Sequence, residues 1–87
     1  MTGTAYRLAR GVRLRREDDG TTLLLVPEGI VELNEPAAAA LELADGTRTA
    51  NEIVAALGER FDDPDGALDA DVRVLLADLA ERGFVTT

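Results

Sequence analysis

The sequence predicts an α+β fold in which a three-stranded antiparallel sheet is followed by three helices. Three observations carry this. Up to residue 34, apolar residues alternate at period two or run in short blocks, punctuated by Asp-Gly and Pro-Glu-Gly. Asn34 and Thr49 are helix-capping residues, each placed before a run of helix formers. After an Asp-rich loop, the last segment keeps a helical apolar stripe as far as Arg82.

Met1 to Ala5 shows no pattern and reads as a flexible N-terminus, leaving 6–87 as a single domain. A chain of this size buries only ~60–65% of its unfolded surface, enough for one modest core. From Tyr6 to Arg16, Leu8, Val12 and Leu14 share one parity, and Arg7, Arg13 and Arg15 share the other. That alternation predicts a half-buried strand, with Gly11 as a bulge. Glu17-Asp18-Asp19-Gly20 is a hairpin turn, and Thr21 to Val26 a second strand. Its three consecutive Leu predict a central strand covered on both faces. Pro27-Glu28-Gly29 makes the next turn, because Pro fixes φ and Gly tolerates positive values. Ile30 to Leu33 is then the third strand, at the edge of a meander.

Asn34 caps a helix whose first turn holds Glu35, an acid at the positive end of the dipole, and Pro36, whose missing N–H loses nothing there. Ala37 to Ala44 continues it, and Asp45-Gly46 is expected to end it. Thr49 and Glu52 form a capping box, opening a helix with the stripe Ile53, Ala56, Leu57 and Phe61. Asp62 to Gly66 is a loop. The last helix, Leu68 to Arg82, has a core stripe of Leu68, Val72, Leu75, Leu76 and Leu79. Ala70, Val74 and Ala77 form a second stripe nearly opposite, with Arg73 beside it, and Asp78 and Arg82 are spaced for an ion pair. Gly83 closes the helix, and Phe84-Val85 tuck back onto the core. Two capped helices joined by Asp45 to Arg48 resemble a helix-turn-helix, so the arrangement is winged-helix-like.

Composition removes most chemistry. There is no Cys, His or Ser, hence no thiolate, imidazole or serine nucleophile and no usual soft-metal ligand. The expectation is no enzyme, no catalytic residue, no cofactor and no metal. Asp62-Asp63-Pro64-Asp65-Gly66 lacks the spacing and closing Glu of a calcium loop. The net charge is −8, and the Thr49–Phe61 helix offers only Arg60 against Glu52 and Glu59, so a DNA-binding regulator is the weaker alternative. One Tyr and two Phe give little surface to stack a flat aromatic ligand. No run approaches the ~18 apolar residues of a membrane span, and no apolar signal segment opens the chain. A cytoplasmic monomer is expected.

The feature that remains is an exposed strand edge. Strand addition draws affinity from main-chain hydrogen bonds and specificity from pockets for alternate side chains. The candidate peptide site is Gly29, Ile30, Val31, Glu32 and Leu33, with Ala70, Val74 and Ala77 as a small-residue wall. Arg73 is placed to meet a carboxylate of an acidic peptide. Glu32 blunts accidental pairing.

Leu8 to Arg15, Leu24 to Asn34 with its Pro-Glu-Gly, Leu41 to Gly46, Thr49 to Leu57, and Asp71-Val72 follow one another in an order that resembles the PqqD family. These are small peptide-binding proteins of pyrroloquinoline quinone (PQQ) biosynthesis, within the recognition elements for ribosomally made, modified peptides. The resemblance runs from about Leu8 to Val85, and Pro-Glu-Gly-Ile-Val-Glu-Leu-Asn is its most specific part. It implies a winged-helix-like domain without catalysis of its own. Such a domain binds a precursor peptide along the third strand, beside the last helix, and presents it to a radical S-adenosylmethionine (SAM) enzyme that cross-links a Glu to a Tyr. A relative serving another ribosomal peptide is the alternative. The basic row Arg7, Arg13 and Arg15, on the edge away from the peptide, is the expected enzyme-facing surface.

Overall fold

The computed structural model describes residues 4–87. Its strands and helices are β1 (Ala5–Leu8), β2 (Arg13–Arg16), β3 (Thr22–Val26), β4 (Gly29–Leu33), α1 (Glu35–Glu42), β5 (Asp45–Thr49), α2 (Ala50–Gly58), α3 (Leu68–Glu81) and β6 (Val85–Thr86). They form two antiparallel three-stranded sheets, in the orders β5-β1-β6 and β2-β3-β4. The α+β class and the three helices stand as expected. The second sheet is new.

It arises from two departures. The predicted strand Tyr6–Arg16 is broken at Gly11, which sits at φ 83°, and the Val12 amide bonds back to the Ala9 carbonyl at 3.1 Å. Gly takes that left-handed conformation without the Cβ penalty, so the chain turns and β1 leaves for the other sheet. The alternation is genuine on both sides of the turn, which is why it hides the break. The second departure is at Asp45 to Arg48, expected as the connection of a helix-turn-helix. Leu43 is the C-cap of α1, and the chain then pairs with β1 as β5, Ala5 opposite Thr49 and Arg7 opposite Asp45. Asp-Gly-Thr-Arg-Thr contains no apolar residue, so period-two hydrophobicity cannot reveal it. Met1 to Gly3 of the expected loose terminus lie outside the described residues, while Ala5 opens β1.

Elsewhere local chemistry acts as read. The Gly20 amide bonds the Glu17 carbonyl at 3.0 Å and the Glu17 amide bonds the Thr21 carbonyl at 2.7 Å, closing the β2–β3 hairpin. Asn34 Oδ1 accepts from the Ala37 amide at 2.9 Å. The capping box is complete, the Glu52 amide donating to Thr49 Oγ1 at 3.2 Å and the Thr49 amide to Glu52 Oε1 at 2.8 Å. The tail does tuck back: Val85 is buried, β6 pairs with β1, and the Ala9 amide bonds the Phe84 carbonyl at 2.9 Å.

One core joins the layers. Leu24, Leu41, Ile53, Leu57 and Leu76, from β3 and all three helices, are fully covered. Ala38, Ala39 and Ala40 are buried too, their small side chains letting α1 approach its neighbours closely. The block of three Leu in β3 is covered on one face only, with Leu24 buried and Leu23 and Leu25 half-buried. Phe61, expected on the helix, lies beyond the end of α2 with Arg60 over its ring. Among the described residues, no helix is long and apolar enough to cross a membrane.

Candidate functional site

β3 is the middle strand of its sheet, and β4 pairs only with β3, so one edge of β4 is unpaired among the described residues. Register decides what that edge offers. In an antiparallel ladder, each residue aims both main-chain groups at the same neighbour, and successive residues alternate sides. The Glu17–Thr21 bond makes those two a hydrogen-bonded pair. With the observed register, Arg15–Leu23 and Arg13–Leu25 are then the next such pairs across β2–β3. Thr22, Leu24 and Val26 must therefore face β4, where they oppose Leu33, Val31 and Gly29. Gly29, Val31 and Leu33 are committed to β3. Ile30 and Glu32 present their N–H and C=O groups to the free edge.

Side chains alternate as well. Val31 is half-buried and Leu33 buried on the core side, whereas Ile30 and Glu32 stand on the outer face. Ile30 is 64% exposed and Val74, on α3, is 67% exposed; among the described residues these are the two exposed large apolar side chains. Both belong to the predicted site. Single exposed apolar residues are ordinary; here the two sit on a free strand edge and on a groove.

That groove is open, has a volume of about 660 Å³, and runs between the start of α1, the α2–α3 loop and α3. Pro36, Ala37, Leu68, Val72, Val74 and Leu75 give it apolar walls, and Asp62, Asp63, Asp71 and Asp78 surround them. Asn34, next to the last residue of β4, also lines it and so joins strand to groove.

Of the predicted α3 residues, only Val74 lines this groove. Ala70 and Ala77 are exposed, near the side of α3 opposite its core stripe. Arg73 corrects the expectation most clearly. A helix turns ~100° per residue, which carries Arg73 away from Val74 to the flank facing α2, where its guanidinium bonds Asp69 and Asn51. It is not poised over the groove. The basic row is divided likewise: Arg13 and Arg15 are exposed on β2, at the sheet edge opposite β4, but Arg7 stands in the other sheet.

The groove also takes in residues outside the predicted set, among them Asp71 and Asp78 on α3. Their spacing with Val74 (i, i+3, i+7) was a usable signal, since it places all three on one helix side. Carboxylates held below their ordinary range lie elsewhere. Asp19 is lowered chiefly by the Thr21 amide and Asp45 chiefly by the Thr47 hydroxyl.

A family model described as Coenzyme PQQ synthesis protein D (PqqD) matches residues 21–85. The chain is 44% identical over 80 residues to the PqqA binding protein of Azotobacter vinelandii, covering 91% of this chain and 86% of that one. It is 39% identical over 77 residues to the bifunctional coenzyme PQQ synthesis protein C/D of Methylorubrum extorquens. That match covers 87% of this chain and 21% of the bifunctional protein, so the chain spans about a fifth of that relative's length. Among solved structures it is similar to the solution NMR structure of the PqqD truncation of Methylobacterium extorquens PqqCD, described as a functional, stand-alone recognition element for ribosomally synthesized and modified peptides. The TM-score is 0.77 at 36% identity, covering 94% of this chain and 88% of that chain.

Proposed function

The chain belongs to the PqqD family, and from that premise we propose that it is a non-catalytic peptide chaperone of PQQ biosynthesis. It holds a ribosomally made precursor by strand addition at β4 and presents it to a radical SAM enzyme in the cytoplasm, where such peptides are made. The carrying observation is the pairing of an unpaired strand edge with an adjoining apolar groove, marked by exposed Ile30 and Val74. An added strand would take main-chain bonds from Ile30 and Glu32 and place side chains toward Val74 and Leu75. The name of the Azotobacter relative supports PqqA as the peptide class.

Arg13 and Arg15 are proposed to face the enzyme, because they lie across the sheet from the peptide edge and leave it free. Arg7, in the other sheet, is proposed as a separate contact for the enzyme. The test of the main reading is a titration of the isotope-labelled protein with synthetic Azotobacter PqqA. Amide shifts centred on Ile30, Glu32 and residues 71–78 are expected. Shifts centred on β1, β5 and β6, or none, would overturn it.

A further inference from the structure

Resting on that peptide-binding reading, we infer that the groove selects a precursor segment carrying a basic side chain among aliphatic ones. This is the opposite charge from the acidic peptide that Arg73 suggested in the sequence. Four carboxylates line the groove, and no Arg does. Arg73 is engaged by Asp69 and Asn51 on another flank of α3. Asp78 shares its charge with Arg82 at 3.3 Å, and Asp63 accepts from the Leu68 amide at 3.1 Å. Asp62 and Asp71 have no ion-pair partner among the described residues. An acidic peptide laid here would meet repulsion from Asp62 and Asp71, which supplies specificity against it.

The geometry also says how a cation would sit. Val74 stands about one turn from both Asp71 and Asp78, and those two lie ~10 Å apart along the helix. A Lys or Arg stem fits along the exposed Val74 side chain while its head lies between the two carboxylates, an arrangement suited to a side chain that is apolar in its stem and charged at its tip. A metal ion is the poorer occupant, because among the described residues no three acidic side chains are gathered closely enough to hold one.

The test compares synthetic Azotobacter PqqA with the same peptide in which every Lys is replaced by norleucine and every Arg by citrulline. Each is titrated against the wild-type protein and the Asp71→Asn/Asp78→Asn variant, whose fold is checked by circular dichroism. Neutralising the peptide is expected to weaken wild-type binding about tenfold, and the variant should lose that preference together with most of the salt dependence. Equal binding of the two peptides to wild type, or tighter PqqA binding by the variant, overturns the charge assignment while leaving strand addition intact. Absence of any PqqA-induced shift at Ile30 and Glu32 in wild type instead overturns the peptide-binding reading itself, and this inference with it.

Discussion

Leu24 and Val31 oppose each other across the β3–β4 ladder as a hydrogen-bonded pair, and this register leaves the main-chain groups of Ile30 and Glu32 unshared. Amide hydrogen exchange reads that directly. In the free protein, the Ile30 and Glu32 amides should exchange fast, and those of Val31 and Leu33 slowly, since only the latter are tied to a neighbouring strand. Adding precursor peptide should protect Ile30 and Glu32 selectively. Uniform protection along β4 without peptide would mean that the edge is already covered.

Much of this edge was legible in the chain. Pro27-Glu28-Gly29 and the cap at Asn34 bracket β4 chemically, and local chemistry does not depend on distant partners. The β1–β5–β6 sheet was not legible, because its strands are short and β5 is wholly polar. Strand pairing there is a long-range event between Ala5–Leu8 and residues some forty and eighty positions later. The groove was half legible. Helical spacing identified Val74, but which side of α3 is open depends on where α1 and the α2–α3 loop come to rest. Arg73 shows the limit: its sequence neighbourhood says that it is near the surface, and only the fold shows Asn51 beside it.

Glu32→Pro separates edge from fold. Proline is tolerated where the missing N–H faces solvent, as the Glu32 N–H does at this edge. The substitution should change stability by less than about 1 kcal/mol. It should weaken peptide binding about tenfold or more, through the lost main-chain bond and the ring in the added strand's path. Denaturant midpoints and peptide titration measure the two effects. Wild-type affinity in this variant would place the peptide elsewhere.

Val74→Asp and Arg73→Ala make a second contrast. Val74 is exposed in the free protein, so introducing a charge there should spare the fold. It removes the apolar surface along which the peptide packs, a loss expected to outweigh the attraction of one more exposed carboxylate for a basic side chain, and so weakens binding. Arg73 lies off the groove in exposed bonds to Asp69 and Asn51. Its replacement should cost under about 1 kcal/mol of stability, as exposed ion pairs do, and leave peptide affinity within about twofold, the small change expected of a residue outside the contact. If Arg73→Ala weakens binding more than Val74→Asp does, the peptide occupies the other flank of α3.

Asp45 links the polar strand β5 to acid stability. Its pKa is lowered first by the Thr47 hydroxyl, which donates at 2.6 Å, then by the Thr47 amide, with Arg48 adding charge at 2.9 Å. Asp19, bonded by the Thr21 amide at 2.9 Å, is shifted the same way. A folded pKa below the unfolded one means that the unfolded chain binds more protons as the pH falls. The stabilisation is therefore fully present above the unfolded value, and is lost as pH drops through it toward the folded value. Urea midpoints should be steady down to about pH 5 and decline by about pH 3, with Asp19→Asn/Asp45→Asn showing a shallower decline. Both groups are solvent-exposed, so the difference should be small and should shrink with added salt in its Arg48 component. An identical acid profile for wild type and the double variant would mean that the two turns are equally formed in the unfolded chain.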